Sequence, residues 1–380
     1  MAAERRTAHT IVGWTALAAA ALLCARGQAQ EGPARERSAG DRLTGESGEI
    51  TPRLRLGVAR GLELLKRKQQ DDGDMSSHYP TAINALVGLA FLAGGYSERA
   101  GSEHSETIRR LTTAILRRQN RHGYFDDGIG LNESEKEPSK EGLMYGHGFA
   151  TLYLAELYGT STHRQAEIRE ALVKALKVIE GSQGAIGGWD YYPASRFGAE
   201  GGPFGAGDTS ITVCQTMALR AAKNIGIKIE EDVISRARKY IERAQNSDGG
   251  FRYRQHGEEV FFQTGSAFPR SAAGVCILYS LGEYNTTKIK AGFDYLHRTY
   301  RFPWSNEFPY YGHYYCAQAM FQAGGKYWKE YFPWIREELL SKQLHDGSWP
   351  EHRREGAIQG TAMALIVLQL PYRFLPIHER

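Results

Sequence analysis

The sequence has little excess charge of either sign, since 47 Lys and Arg face 43 Asp and Glu and leave a formal net charge of +4 over 380 residues. A dedicated nucleic-acid-binding protein is strongly basic, so we do not expect nucleic acid as a partner. Cysteine is also scarce, with four residues in the whole chain, which excludes a small disulfide-stapled scaffold. The 42% of hydrophobic residues are enough for a large conventional core.

The N-terminus has the pattern of a secretory signal peptide. Arg5 and Arg6 precede an apolar run, Ile11–Leu23, and the small residues Gly27 and Ala29 follow it. A basic segment, a short apolar segment and a small-residue cleavage site are the three parts of such a signal. We therefore expect cleavage after Ala29 and export to the periplasm or the extracellular space. The alternative is an uncleaved segment that anchors the protein to a membrane.

The signal divides the chain into three segments. Residues 1–29 are the predicted signal peptide, and residues 30–50 are polar and Gly-rich, which is typical of a flexible linker. Residues 51–380 are the predicted folded domain. Removal of the signal leaves three cysteines in apolar helical runs, where we expect them to pack in the core: Cys214, Cys276 and Cys316.

One short pattern recurs along the folded segment. A glutamine ends an amphipathic stretch, one or two glycines follow, and a large apolar residue closes the pattern, as in QQDDGDM, QNRHGYF, QGAIGGW, QNSDGGF and QLHDGSW. Glycine permits the chain to reverse direction. The glutamine side chain can bond backbone groups that lack partners at a helix end. The pattern therefore marks the boundary of a repeated structural unit.

Each of these turns lies between two stretches of different character. The stretch before it has one apolar stripe, which is typical of a surface helix, and the stretch after it is apolar almost all round, which is typical of a buried helix. Six outer stretches alternate with six inner ones, although the fifth unit, LHRTYRFPWSN, has neither the glutamine nor the glycines. We therefore predict an all-α fold in which six helical hairpins close into an α/α toroid with the buried helices as its inner wall.

These units resemble the prenyltransferase/squalene-oxidase repeats of squalene and oxidosqualene cyclases and of protein prenyltransferase β subunits. The resemblance covers about residues 55–372 and rests on the Gln…Gly-aromatic turns together with the small-residue helix after each turn. It implies a terpenoid cyclase type of toroid and an apolar or isoprenoid ligand in the ring cavity. A shared fold does not fix the reaction.

The catalytic segment of the cyclases matches only in part. Those enzymes protonate a polyene with an aspartic acid in D-x-D-D-T-A, and the corresponding place here is GAGDTSITVCQTMAL. Asp208 and Thr209 match the last Asp and the Thr, but Gly207 stands at the central proton donor. We expect Asp208 to cap the following helix, whose N-terminus would lower the pKa of its carboxyl group. Protonation-initiated cyclisation of squalene is therefore not expected.

The zinc-binding residues of the prenyltransferases are not matched in this sequence either. Tyr315 and Ala317 stand where the metal-binding Asp and Cys would be, and Cys316 is one residue out of step. One residue turns a helical side chain by about 100°, and no His occurs in the last inner stretch, GTAMALIVLQL. Tetrahedral zinc needs three or four converging ligands. We expect no metal and no cofactor.

Polar residues recur just before or at the start of the inner helices: His78, His147, Asp208, Arg270, His313 and Gln359. In a closed ring such positions project toward one mouth of the cavity. We predict catalytic roles for Asp208, His147 and His313, and ligand-binding roles for the other three. The alternative is that neighbouring backbone groups satisfy them as helix-start residues. The tripeptide YGH occurs at two of these places, Tyr145–His147 and Tyr311–His313.

Long Gly- and aromatic-rich segments precede several inner helices. Loops of more than about 12 residues are commonly functional or disordered, so we predict that Trp189, Tyr191 and Trp304 line the ligand site. The alternative is that their rings pack over the top of the toroid. The acidic pair Asp126 and Asp127 in GYFDDG is expected in a solvated turn.

Three classes of function remain open, and with them the question of whether the protein is an enzyme. The first is a cyclase-like protein that binds an apolar or isoprenoid ligand at a non-standard site. The second is a binding or scaffold module for a protein or envelope partner. The third is a polysaccharide lyase or hydrolase, because helical toroids also serve that chemistry.

We predict that the mature protein begins near Gln30, because cleavage follows the small residue Ala29. N-terminal sequencing of native material checks this position. Cytoplasmic protein that still begins at Met1 would contradict export, whereas an intact N-terminus at a membrane would support the anchor.

Overall fold

The computed structural model describes residues 48–127, 143–160, 163–194, 207–255, 264–301, 304, 308–350 and 356–378. The predicted signal peptide and nearly all of the linker lie outside them and stay predictions. The described residues form no β-strand but twelve α-helices: α1 Pro52–Lys68, α2 Pro80–Ala93, α3 Ser105–Leu116, α4 Leu143–Thr160, α5 Gln165–Gly181, α6 Thr209–Asn224, α7 Glu231–Ala244, α8 Phe268–Ser280, α9 Thr287–Thr299, α10 Pro309–Ala323, α11 Gly325–Lys342 and α12 Gly356–Gln369.

The even-numbered helices form a closed inner ring. Each packs on the next in chain order, from α2 through α4, α6, α8 and α10 to α12, and α12 packs back on α2. The odd-numbered helices lie outside this ring, and each packs chiefly on the preceding inner helix, with α1 packing on α12. The predicted α/α toroid of six hairpins is confirmed.

The two layers follow from the apolar patterns. In α2 all but one of the fourteen residues are buried, because both the ring neighbours and the outer helices cover it. In α7 only one stripe is buried, formed by Val233, Ala237, Tyr240, Ile241 and Ala244. A helix that is apolar on one stripe belongs at a surface, and one that is apolar all round belongs between layers.

The glutamine of each turn links two neighbouring outer helices. In five turns its Nε2 donates one hydrogen bond to the carbonyl four residues on and a second to a carbonyl of the next outer helix, at 2.8–3.1 Å. The sequence predicted bonds to backbone groups at a helix end, whereas the acceptors are a carbonyl of the turn and a carbonyl inside the next outer helix, which links one repeat to the next. We call these residues the glutamine clamps: Gln69, Gln119, Gln183, Gln245 and Gln343.

The last clamp closes the ring. Gln343, at the end of α11, donates to the carbonyl of Gly57 in α1 at 2.8 Å. Gly347 in the same turn has φ +100°, and a Cβ atom there would lie 2.6 Å from the carbonyl oxygen of Arg60. Only glycine allows both that backbone conformation and that approach. The Gln343 hydrogen bond and the close contact at Gly347 together hold α1 and α11 side by side.

The fifth unit joins its neighbour in another way. Tyr300 stands where the other units have the clamp, and its ring packs against Tyr331 and Trp334 of α11 with centroid distances of 5.3 and 5.0 Å. Aromatic packing therefore replaces two directed hydrogen bonds at the α9–α11 contact. This is the unit that the sequence marked as the poorest copy of the repeat.

The C-terminal residues cover one end of the inner ring. After α12 the chain forms two short 3₁₀ segments, Leu370–Tyr372 and Pro376–His378, and the second packs on α4, α6 and α10. The N–H of Ile377 donates to Glu156 Oε2, and Gln322 Nε2 donates to the carbonyl of Ile377, both at 3.3 Å. Both side chains belong to the last turns of inner helices. The tail thus lies over the C-terminal end of the ring, and we call the opposite end the N-terminal mouth.

None of the described helices combines the length and the apolar character that a membrane span requires.

We predict that Gln343→Ala lowers the free energy of unfolding by about 1–3 kcal/mol, because two partly buried carbonyls lose their side-chain donor. Urea unfolding of the purified protein measures this change. Gln70→Ala is the matched control, since the exposed Gln70 is adjacent to a clamp, and we expect it to change stability by less than about 0.5 kcal/mol. Equal effects of the two substitutions would contradict the role of the clamp.

Candidate functional site

Asp208 caps α6 at the N-terminal mouth. One carboxyl oxygen, Oδ1, accepts hydrogen bonds from the backbone N–H groups of Ser210 and Ile211 at 2.7 and 3.1 Å. Its own N–H donates to the carbonyl of Trp189 at 2.8 Å, which ties the start of α6 to the preceding turn. The expected cap is therefore present, and the residue is fully buried.

The protonation behaviour of Asp208 differs from the sequence-based expectation. Burial raises the pKa of its carboxyl above the usual value, while Tyr253, the two backbone N–H groups and Arg254 lower it by less. The expected effect of the helix N-terminus has the right sign, but desolvation is larger, so the predicted net lowering is wrong. Within the described part of the chain, no donor has the geometry of a full hydrogen bond to the second oxygen, Oδ2, which is itself buried, although the hydroxyl of Tyr253 lies close enough to lower the pKa of the carboxyl group as a hydrogen-bond donor. Asp208 is thus a buried carboxyl group that has a tyrosine hydroxyl beside it.

Gly207 explains why the cyclase pattern is incomplete here. It has φ +67°, and a Cβ atom would lie 2.7 Å from the ring of Tyr240. No side chain fits at the position where the cyclases carry their central acid. The packing of this turn against Tyr240 of α7 therefore leaves no room for that acid.

Four tyrosines from different parts of the ring converge on Asp208. The hydroxyl groups of Tyr191 and Tyr253 lie 2.6 Å apart. Burial, and then the charge of Asp208, raises the pKa of Tyr253 to about 12. Burial raises the pKa of both Tyr145 of α4 and Tyr311 of α10, and the charge of Asp208 raises both further. The two hydroxyl groups lie close enough to interact, since Tyr311 also raises the pKa of Tyr145, whereas a side-chain hydrogen bond with Tyr145 lowers that of Tyr311. Because α4 and α10 lie opposite each other in the ring, these two side chains meet across its axis.

A second carboxylate lies beside this cluster. Asp190 is buried and pairs with Arg254 at 3.1 Å between Oδ1 and the guanidinium. Burial lowers the pKa of the Arg254 guanidinium, but Asp190, Tyr253 and Asp208 together raise it above the usual value, so the arginine lies within electrostatic reach of both carboxyl groups. Sequence reasoning missed Asp190, Arg254 and Tyr253. The available signal was that WDY and FRYR follow the glycines of successive turns.

His147 is held by backbone groups away from this cluster. The N–H of Phe125 donates to its Nδ1 at 3.3 Å, and Nε2 lies 3.0 Å from the carbonyl oxygen of Ala175. Burial lowers the pKa of the ring to about 4. Four other turns donate the same N–H to an inner-helix side chain at this position: Asn84, Thr212, Ser271 and Thr361. His147 therefore fits the alternative given above: it is a residue at the start of a helix whose ring nitrogens are bonded by neighbouring backbone groups.

His313 has a comparable setting. Its Nδ1 bonds the hydroxyl of Tyr331 at 3.0 Å, and burial lowers the pKa of the ring to about 3. The rings of Phe268 and Trp304 lie 5.0 Å from it. The tyrosines of the two YGH tripeptides therefore reach the mouth, whereas the histidines two residues later point to the outer layer. Residues i and i+2 of a helix differ by about 200° in direction.

Of the side chains predicted to bind a ligand, only that of Tyr191 joins the Asp208 carboxyl group, and the others are spread over the described structure. His78 is exposed, and Gln359 is half-buried on α12. Arg270 donates to the carbonyls of Phe251 and Gly265 at 2.9 and 2.6 Å. The two tryptophans do not line the mouth, because their indole N–H groups bond outer helices. Trp189 donates to the carbonyl of Ile179 in α5, and Trp304 donates to Glu338 Oε2 in α11.

One residue of the acidic pair in GYFDDG, Asp127, differs from the solvated turn that was expected. Asp127 Oδ1 accepts the backbone N–H of Thr81 at 3.0 Å and also its hydroxyl. The Asp127 side chain keeps only 22% of its exposure, and burial raises its pKa. The prediction was wrong because Asp127 reaches across to cap α2, a long-range contact that the sequence does not show.

The three cysteines are buried free thiols, as expected. Burial raises the pKa of all three, that of Cys276 to about 12, so they are unreactive at neutral pH. Over the described ranges, no three His, Cys, Asp or Glu side chains come together as metal ligands.

Comparison with known proteins gives similarity of fold alone. No protein-family profile and no curated protein sequence matches the chain. A variant of the type II terpene cyclase MstE from Scytonema, in complex with its substrate geranylgeranyl dihydroxybenzoate, is 14% identical with a TM-score of 0.55, and the match covers 85% of this chain and 98% of the cyclase. The apo form gives a TM-score of 0.53 at 14% identity, with 85% and 99% covered.

A GH76 α-mannanase from Bacteroides thetaiotaomicron has the same architecture. It is 13% identical with a TM-score of 0.59, and the match covers 84% of this chain and 95% of the mannanase. The chain therefore has the terpenoid cyclase and prenyltransferase type of α/α toroid, a fold that also carries glycosidase chemistry.

We predict that the free energy of unfolding falls by up to about 3 kcal/mol through His147 as the pH drops from 7 to 4. The pKa of this histidine falls from 6.5 to about 4 in the folded protein, so the unfolded chain binds the proton first and its contribution is lost on acidification. His147→Asn introduces the residue that α2 has at the same position, Asn84. It should reduce the slope of the unfolding free energy against pH, measured by urea unfolding at several pH values between 4 and 7. His122→Asn, at an exposed turn residue, should leave the slope unchanged; an unchanged slope in His147→Asn would contradict the assignment.

Proposed function

We propose that this is an exported protein that binds an apolar, isoprenoid-type ligand at the N-terminal mouth, with the carboxyl group of Asp208 facing the ligand. The observation that carries the proposal is the buried Asp208, surrounded by four tyrosines, whose carboxyl pKa is raised by burial and whose Oδ2 has no full hydrogen bond from the residues that the structure describes. A protonated carboxyl donates a hydrogen bond or a proton. The type II terpene cyclase with a geranylgeranyl substrate supports this class of ligand.

The aromatic side chains suit such a ligand. Tyr145 and Tyr311 keep part of their surface accessible although burial raises the pKa of both. Deeper along α4 and α10, Phe149 and Tyr314 meet with a centroid distance of 6.2 Å. An apolar chain that rests on these rings leaves water without loss of hydrogen bonds, and the ring faces also stabilise positive charge.

The site differs from that of the squalene cyclases in its acid. Asp208 accepts two backbone N–H bonds, and Gly207 leaves no room for the central acid. A strong polyene-protonating acid is supported by neighbouring carboxylates, whereas Asp208 has tyrosine hydroxyls and the Asp190–Arg254 pair beside it. We therefore propose ligand binding with a weak acid rather than squalene cyclisation.

A second candidate is glycoside hydrolysis, and the presence of Asp190 beside Asp208 favours it. One carboxyl with a raised pKa and one ion-paired carboxylate are the two kinds of group that this reaction uses. The α-mannanase supports the class through its fold.

We predict that Asp208→Asn weakens the binding of geranylgeraniol roughly 5- to 30-fold, because a buried acid is replaced while the cap is kept. Quenching of intrinsic fluorescence measures the affinity, and lipid extraction followed by mass spectrometry identifies any native ligand. Asp294→Asn, at an exposed position on α9, is the matched control and should bind as the wild type does.

Three results would contradict the proposal. Equal affinity of the wild type and Asp208→Asn would remove Asp208 from the site. Release of reducing sugar from α-mannan, lost in Asp190→Asn and Asp208→Asn, would favour the second candidate. Hopanoid product from squalene with the wild type alone would show a cyclase.

A further inference from the structure

A cleft on the outer layer combines basic and apolar residues. It has a volume of about 370 Å³ and lies between the third turn and α7. The turn contributes Ala185 and Ile186, and α7 contributes Arg236, Lys239 and Arg243. These groups are distinct from the residues at the N-terminal mouth, and the inference below does not depend on the function proposed for that mouth.

The repeat shows what normally occupies this place. In three other turns an aspartate precedes the glycine, and an arginine of the next outer helix donates to the carbonyl of that aspartate: Arg117 to Asp72, Arg298 to Asp248 and Arg67 to Asp346. In each of these turns the aspartate Oδ1 also accepts the N–H two residues on. The aspartate and the arginine thus occur together: the guanidinium bonds the backbone of the residue whose carboxylate caps the turn, and at Arg117 and Asp72 the two charged groups also meet, at 3.4 Å.

The second turn has neither group, since His122 precedes the glycine and Gly181 occupies the position of the arginine on α5. The third turn is the exception to this pairing. It keeps the arginine, because Arg243 donates to the carbonyl of Ile186 at 2.7 Å, but isoleucine replaces the aspartate. The N–H of Gly188, two residues on, donates to no backbone carbonyl in the described part of the chain.

The cleft therefore has more positive than negative charge. Arg236 pairs with Asp232 at 2.9 Å, and Arg243 has a neutral second acceptor in Gln255 Oε1 at 3.3 Å. Lys239 is exposed and has no partner among the described residues. Among the described residues at the cleft, three cations thus share one carboxylate, that of Asp232, beside an apolar turn. The aspartate carboxylate that three other turns have at this place is replaced here by the isoleucine side chain.

We propose that this cleft binds a phosphate-type oxyanion in the place of the missing aspartate carboxylate. Lys239 and Arg243 supply the charge and the N–H donors, in the manner usual for phosphate recognition. The methyl groups of Ala185 and Ile186 form an apolar side on which an attached hydrocarbon can lie. The anion is either a free phosphate or the headgroup of an anionic phospholipid, and both offer the same chemistry to these residues.

The test uses the full-length protein at low ionic strength, because salt screens exposed charges. One arm measures the Tm with inorganic phosphate against chloride of equal ionic strength, since a ligand of the folded state raises the Tm. The other measures co-sedimentation with phosphatidylcholine vesicles, with and without phosphatidylglycerol. We expect at least one arm to show binding, and Lys239→Gln to weaken it about fivefold.

Ile186→Asp is the decisive variant, because it restores the residue found at three other turns. We expect it to fold normally and to lose the binding at least tenfold. Lys329→Gln on α11, also exposed, changes the net charge as Lys239→Gln does and should bind like the wild type. A response to phosphate indicates a free anion, and a response to phosphatidylglycerol alone indicates a headgroup. No binding in either arm, or undiminished binding by Ile186→Asp, would overturn the proposal.

Discussion

The second hydrogen bond of each glutamine clamp fixes how neighbouring outer helices meet at five of the six contacts around the ring, and aromatic packing takes its place at the α9–α11 contact. This bond ties an outer helix to the turn that precedes it, as Gln343 ties the carbonyl of Gly57. Successive units joined in this way are therefore placed in the same relation to one another. A backbone N–H of each of these turns also donates a hydrogen bond to an inner helix, where His147 or a shorter polar side chain accepts it. The inner helices are thereby placed by the outer ones, and the residues at their first turns are brought to a common level. The convergence at Asp208 depends on this placement.

Much of the fold follows from patterns visible in the sequence. The alternation of one-stripe and all-round apolar stretches predicts both layers, and the recurring glutamine predicts where each hairpin turns. The pattern does not show the C-terminal tail across the ring, because Glu156 and Gln322 reach Ile377 only in the assembled structure. Contacts between distant segments are the part of the fold that local periodicity does not contain.

The site was predicted less completely, and the two YGH tripeptides show why. The repetition correctly marks a place where the chain faces the mouth, but a helix turns successive residues to different sides, so Tyr145 and Tyr311 reach the mouth instead of the histidines. The pKa of Asp208 was misjudged for another reason: the helix N-terminus is visible in the sequence, whereas complete burial is not. Asp190 and Arg254 come from two different turns, and no spacing rule relates them.

The tail also acts as a brace across one end of the ring. Ile377 is bonded to Glu156 of α4 and to Gln322 of α10, two helices that lie on opposite sides of the inner ring. Each inner helix is otherwise held mainly by its two neighbours in the ring and by the outer layer. A single residue of the tail therefore links two helices that are three positions apart in the order of the ring, so that a movement of one is felt by the other without passing through the helices between them.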